Sequence, residues 1–214
     1  MSGLKRIALA GSVWCLLAGC ATVSISETRV VSGQVTDEAG KPVVSNPVVV
    51  VARTLEFAKL RLEYDERGRK DVKASTDAEG RYRIDFVPAQ AGNNFYLFFY
   101  DVSGFDGVKY KRPEPVEITD RLKRGGAVVV NQVLRLTPTW PEVERQIVFY
   151  GPESARGQIL RTHGLPDNRE RPPDAGGDAE VWWYYADGVS YSFAGDTLMR
   201  TSKFPPIRQT SPSP

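Results

Sequence analysis

The chain has little cysteine, histidine or methionine: two Cys, one His and two Met among 214 residues. His163 is the single histidine. No serine in a strained elbow motif and no spaced Asp/Glu pair stands near it in sequence, so a surface or helix-capping place is expected for it rather than catalysis. Long apolar runs are lacking too. The leading run over residues 7–18, roughly twelve residues, spans only about 18 Å as a helix, against ~30 Å of bilayer hydrocarbon. A transmembrane helix is excluded there. Nor is there an excess of one charge: 28 Lys and Arg face 26 Asp and Glu without a basic block. A near-neutral chain has no electrostatic footprint for phosphate backbones, which excludes nucleic acid as a partner. What is plentiful is punctuation, with 19 Gly and 15 Pro. That composition implies many turns and few long helices, and points to a mainly β protein.

The leading apolar run follows Lys5 and Arg6, holds Cys15, and closes on Leu17-Ala18-Gly19-Cys20. Charge, apolar core, small residues and then cysteine form a processed leader. The box resembles the bacterial lipoprotein signal family, in which a lipid-bearing Cys becomes the first residue of the mature chain. The resemblance implies a signal peptide over 1–19 and lipid attachment at Cys20. No cysteine then remains for a disulfide, a zinc cluster or a thiol nucleophile. Lys5 and Arg6 leave with the leader, so the mature chain carries 28 − 2 = 26 basic side chains against 26 acidic ones. Residues 20–28 read as a lipidated polar tether. No Asp follows Cys20. The sorting rule that accompanies the resemblance implies passage to the outer membrane and a lipid-anchored life in the cell envelope.

From Val30 the sequence alternates, with Val31, Gly33 and Val35 on one side, which is the period of a half-buried strand. Asp37 to Pro42 turns it, and Val48 to Ala52 reads as a strand buried on both faces. A second turn, Thr76 to Gly80, precedes Arg81 to Phe86, in which Tyr82, Ile84 and Phe86 are expected inside. Asn94 to Asp101 is the most apolar stretch after the leader and reads as a central strand. Val116 to Thr119 and Ala127 to Leu136 supply two more strands. The Val31–Val43 segment, the valine strand and Ser75 to Ile84 resemble the carboxypeptidase regulatory-like domain. That resemblance covers about residues 29–137 and implies a seven-stranded, transthyretin-like β-sandwich without catalysis of its own.

Three places in this region invite other readings. Residues 54–73 suit an extended hairpin turning at Asp65 to Arg69, although Leu55, Ala58 and Leu62 also fit one helix face; their mixed charge suggests a solvated edge. Asp77 and Glu79 beside Gly80 lack the third acidic ligand and the distal Glu of a calcium loop, so they are read as turn residues and no metal is expected. Lys41 or Lys73 with Asn131 would suit an isopeptide bond of the kind found in similar adhesin sandwiches. No buried acid to promote it is evident.

Leu136-Thr-Pro-Thr-Trp-Pro141 ends the strand pattern, and a second unit is expected over 138–202. It shows one clear helix, with Ala155, Ile159, Leu160 and His163 on one face and Gly164 stopping it; Pro141 to Tyr150 is ambiguous. Residues 166–179 read as a mobile loop. Asp187-Gly188 signals a two-residue hairpin that would place Ala186 opposite Val189 and Trp183 opposite Ser192. Trp182, Tyr184, Val189, Tyr191 and Phe193 then share the face toward the helix, and Gly195-Asp196 turns the chain again to set Leu198 beside Phe193. Helix, Gly164-Leu165-Pro166 and these strands resemble the SmpA/OmlA family of small outer-membrane lipoproteins, with its BamE-like fold. The expected module is a helix with a three-stranded antiparallel sheet. Residues 203–214, rich in Pro and Ser, are expected to be a disordered tail.

The opposite face of that hairpin shows Trp183 and Tyr185 among serines, the expected contact residues for a partner. No cofactor and no catalytic residue is nominated. The leading functional expectation is a non-enzymatic, lipid-anchored protein that holds another envelope protein. The alternative is a polysaccharide- or peptidoglycan-binding lipoprotein using Trp183 and Tyr185.

Overall fold

The computed structural model describes residues 26–172 and 179–207. Its elements in chain order are β1 (Arg29–Asp37), β2 (Pro47–Ala58), β3 (Glu63–Ser75), β4 (Arg81–Phe86), β5 (Asn94–Phe98), β6 (Val116–Glu117), α1 (Thr119–Arg124), β7 (Val128–Val129), β8 (Gln132–Leu134), α2 (Trp140–Tyr150), α3 (Ala155–His163), β9 (Asn168–Glu170), β10 (Ala179–Tyr184), β11 (Val189–Ala194) and β12 (Thr197–Lys203). The protein is mainly β. No helix among the described residues is long and apolar enough to cross a membrane.

Strands β1 to β8 form two four-stranded sheets, one of order β4-β1-β7 with β8 also on β1, the other β3-β2-β5-β6. Both sheets turn alternate residues into one core: Val31, Val35, Tyr82 and Ile84 from the first, and Val48, Val50, Ala52, Phe95 and Leu97 from the second. The valines of β2 are buried throughout, Val49 and Val51 on the face away from the core included, and β2 lies inside its sheet, between β3 and β5. β5 is likewise internal, between β2 and β6. Gly33 interrupts the inward side of β1 for a steric reason: a Cβ there would stand 1.9 Å from the Val130 backbone oxygen.

Three details of this first unit differ from the sequence reading. The two sheets of this unit hold eight strands among the described residues, not seven, because Ala127 to Leu136 breaks into β7 and β8, both parallel to β1. Thr119 leaves the strand and opens α1, where its hydroxyl accepts the Phe95 N–H at 2.9 Å. Residues 54–73 are a hairpin, which removes the helix alternative, but it turns at 59–62 rather than at Asp65 to Arg69. The Ala58 carbonyl takes the N–H groups of Arg61 and Leu62, and the irregularity beside Thr54 and Leu55 absorbs the extra residue across the pair.

The second core contains Trp140, Val143 and Ile147 of α2, Ile159 and Leu160 of α3, and Trp182, Tyr184, Val189 and Phe193 of the sheet. That sheet is antiparallel with order β12-β11-β10-β9. Two helices and four strands replace the one helix and three strands expected. Pro141 does not interrupt α2 because it lies in the first turn, where its missing N–H has no intrahelical acceptor. β9 arises inside the presumed loop, where Asn168 to Glu170 pair with Trp183 to Val181.

The hairpin register also differs. Tyr184 faces Val189 and Trp183 faces Ser190, so the loop has four residues, Tyr185 to Gly188. A two-residue type I′ turn needs positive φ at both Asp187 and Gly188, and only Gly188 has it, at 63°. The slip is by two residues, so every side chain keeps its face. Leu198 does stand opposite Phe193.

Candidate functional site

Trp183 and Tyr185 project from the side of β10 opposite the second core. Their rings are stacked at 24° with centroids 6.3 Å apart. Neither is bare. Phe204 lies 5.7 Å from Trp183 and 6.4 Å from Tyr185, and the Trp183 indole N–H donates to Glu170 at 3.2 Å. The Phe204 N–H donates to the Gly188 carbonyl and the Ile207 N–H to the Tyr185 carbonyl, both at 2.8 Å. Residues 203–207 are therefore held, contrary to the expected disordered tail: Lys203 completes β12 and Phe204 fits over the aromatic pair. Residues 208–214 lie outside the described residues. So does Cys20, the expected lipid site, so the anchor has no geometry here.

His163 closes α3 and stands between two partners. Its Nδ1 is 2.7 Å from the Asp187 carboxylate and its Nε2 is 2.9 Å from the Tyr191 hydroxyl. An Asp-His-hydroxyl chain has the connectivity of a nucleophile relay, so its electrostatics decide its use. Burial, and then the Asp187 charge, push the Tyr191 phenol upward. A nucleophile requires the opposite shift. Tyr191 is poised as a neutral hydroxyl, and the chain ties the hairpin loop to the end of α3 and to β11. The Tyr184 hydroxyl makes a parallel tie, donating to the Gly164 carbonyl at 3.1 Å, and burial pushes that phenol up as well. Sequence pattern alone could not bring Asp187 and Tyr191 to His163, because the three lie on separate elements joined by tertiary packing.

A buried ion pair also escaped the sequence reading. Arg156 of α3 donates to the Glu180 carboxylate and, at 2.8 Å, to the Gly195 carbonyl. Its guanidinium sits 4.2 Å from the Phe193 ring centroid and 5.0 Å from that of Trp182. Burial is the largest influence on the Glu180 carboxyl and raises it; Arg156, with smaller contributions from Trp182 and the Arg169 charge, outweighs it and leaves the group below its usual range.

The other residues singled out from sequence have structural partners. Asp77 accepts the backbone N–H groups of Glu79 and Arg81 at 3.0 and 2.7 Å, the geometry of a turn. Lys73 pairs with Asp101 at 2.6 Å, while the Asn131 carboxamide oxygen accepts the Gln34 N–H at 2.9 Å. These two are engaged elsewhere and do not meet, and Lys41 is exposed. A cleft of about 250 Å³ lies between Pro42 to Asn46 and Gly104 to Tyr110; its charged groups are Asp106 and Lys109. It contains neither Trp183 nor His163.

No protein-family model and no curated protein matches the chain. The solved structures it is similar to include the following two. The C-terminal domain of the shaft pilin spaA from Lactobacillus rhamnosus GG is 11% identical and has a TM-score of 0.29, covering 52% of this chain and 98% of that one. A 9R-lipoxygenase from Cyanothece PCC8801 is 15% identical, also with a TM-score of 0.29, covering 76% of this chain and 26% of that one. Similarity at this level carries no argument about what this chain does.

Proposed function

We propose that the chain is a non-enzymatic, lipid-anchored protein of the bacterial envelope, held through Cys20 at the outer membrane, and that it works by protein contact. The observation that carries the contact reading is on α2. Val148 and Phe149 are 74% and 79% exposed at consecutive positions of a helix whose other side is fixed in the second core. Adjacent large apolar groups on a rigid element form an anchor for a partner surface. The relay geometry supports the non-enzymatic part of the reading, since both nitrogens of His163 serve internal ties and Tyr191 is held as a phenol.

The two sheets over one core, closed by the Asp37 and Asp77 turns, support a carboxypeptidase regulatory-like, transthyretin-like first module. Two helices ahead of an antiparallel sheet support a BamE-like second module with an added strand. The polysaccharide or peptidoglycan reading has less support, because Phe204 occupies the neighbourhood of Trp183 and Tyr185. A glycan pull-down with Trp183→Ala as control revives it only if the parent chain is retained and the variant is not.

Two measurements test the proposal. Mass spectrometry of the mature protein is expected to show residues 1–19 removed and acyl chains on Cys20; an intact leader or a free Cys20 thiol overturns the anchor. A photo-crosslinking side chain at Phe149 is expected to capture an envelope protein in cells. Capture of none overturns the contact reading.

A further inference from the structure

The β2–β3 hairpin is longer than the sheet it belongs to. β5 covers β2 only from Val49 to Arg53, while the β2–β3 pairing continues to Ala58 and Glu63. The Asn93 side chain holds the N–H and carbonyl of Leu55, so the free ribbon, Glu56 to Ala58, runs about 10 Å beyond, at ~3.4 Å per residue. Its own charges are mutually paired: Arg61 with Glu63 and Asp65, Arg67 with Glu56, Arg53 with Glu66. Its tip is apolar. Leu60 is fully exposed and Leu62 is 79% exposed, and Phe57 and Tyr64 pack on each other, largely bare, just behind them. Lys59 makes no ion pair among the described residues. The ribbon is the solvated, mixed-charge edge expected from sequence, and its apolar tip is an addition to that reading.

The end of the sandwich from which the ribbon leaves is also where the chain enters. Arg29 begins β1 opposite Phe86, Phe86 packs on Phe95, and Asn94 pairs with Arg53 at the base of the ribbon. α1 belongs to the same end, since Ile118 donates its N–H to the Phe95 carbonyl and Gly125 lies against the Arg29 side chain. α1 presents Arg121, Lys123 and Arg124 to solvent, with Asp120 the one acid among them. One end of the protein thus combines an apolar tip, the basic side chains of α1 with the exposed acids Glu27, Glu117 and Asp120 near them, and the N-terminal entry.

We propose that this end rests on an anionic phospholipid surface, with Leu60 and Leu62 entering the interface and Lys59, Arg121, Lys123 and Arg124 facing the headgroups. Apolar side chains gain by leaving water and basic ones gain from the negative surface potential. The inference rests on the lipid-anchored reading for the side on which the bilayer lies. The nine residues from Cys20 to Thr28 reach at most about 30 Å, which keeps that surface within range of the ribbon.

The test uses the protein purified from membranes and reconstituted into vesicles of phosphatidylglycerol with phosphatidylethanolamine, and into phosphatidylcholine vesicles. An environment-sensitive fluorophore is placed on Leu60→Cys, with Ala78→Cys, in the turn at the far end of β1, as the reference. Spin-labelled lipid is expected to quench position 60 and not position 78. Quenching is expected to weaken in phosphatidylcholine or high salt and to be lost when Leu62→Asp is added. Since Leu62 is exposed, the melting temperature reports separately that this variant stays folded. Equal quenching at both positions, no quenching at position 60, or shielding of position 60 only when envelope proteins are added overturns the proposal. Labelling of the parent chain, whose only cysteines are Cys15 and Cys20, reads the anchor independently. A reactive thiol there means that the anchor reading has failed, whatever position 60 reports.

Discussion

Arg156 and Glu180, 24 positions apart, form an ion pair between α3 and β10 in which both side chains are withdrawn from water, at 6% and 14% exposure. The same guanidinium holds the Gly195 carbonyl and lies against Phe193. One side chain thus fixes a helix, two strands and a turn.

Removing one partner of such a pair leaves the other charged and buried. Arg156→Met is expected to destabilise the fold by about 3 kcal/mol, and adding Glu180→Gln to recover part of that loss because it removes the stranded charge. Urea unfolding checks both. A double variant no more stable than the single one sinks the idea.

The same pair predicts a pH dependence. The Glu180 carboxyl is held below its ordinary value when folded, so between that lowered value and the ordinary carboxylate range the unfolded chain binds more protons. The pair's stabilisation is fully present above the ordinary range and is lost as pH falls through the lowered value. The urea midpoint of the parent chain is expected to fall across that acid window more steeply than that of Arg156→Met with Glu180→Gln. Parallel curves would show that another group sets the slope.

Gly188 and Phe204 control how much of Trp183 is seen by solvent. Gly188 has a φ of 63°, and a Cβ there would lie 2.3 Å from the Phe204 carbonyl oxygen. Gly188→Ala is expected to release residues 204–207 and cost more than about 1 kcal/mol. Phe204→Ala is expected to uncover the same rings with the loop intact, at about 1–2 kcal/mol. Iodide quenching of tryptophan emission, measured with Trp140→Phe to reduce background, is expected to rise in both. Unchanged quenching in Phe204→Ala would mean that Phe204 does not cover the pair.

How far the sequence carried these features follows from their range. Alternation along one strand is a local property, so the inward sets of β1, β4 and the β10–β11 hairpin could be read from Val31, Tyr82 and Trp182 directly. Register depends on loop conformation, and Asp187-Gly188 carries a two-residue signal that the negative φ of Asp187 declines. Arg156 was illegible because a charged residue on a helix is ordinarily solvated; only the approach of Glu180 and Phe193 from the sheet buries it. The Leu60 tip is illegible in sequence for the converse reason. Its flanking charges pair across the ribbon and leave the leucines bare, a relation that exists only once the turn is placed at 59–62.

Thr76 and Asn46 are both buried where the two sheets are joined by the turns. The Thr76 hydroxyl donates to the Val43 carbonyl at 2.6 Å and accepts the Asn46 N–H at 2.8 Å, while the Asn46 carboxamide donates to the Phe99 carbonyl at 3.0 Å. Val43 belongs to the segment after β1, Asn46 leads into β2, and Phe99 follows β5, so one hydroxyl and one amide link both sheets of the first core. Thr76→Val keeps the shape and removes the hydroxyl. It strands a buried carbonyl and a buried N–H, each worth about 1–3 kcal/mol when left without a partner. Thr76→Val is expected to destabilise by about 2–4 kcal/mol on that basis, while Thr76→Ser, which retains the oxygen, loses only the methyl contact, about 1 kcal/mol. Equal losses in the two variants would assign the role of Thr76 to packing rather than to its hydrogen bonds.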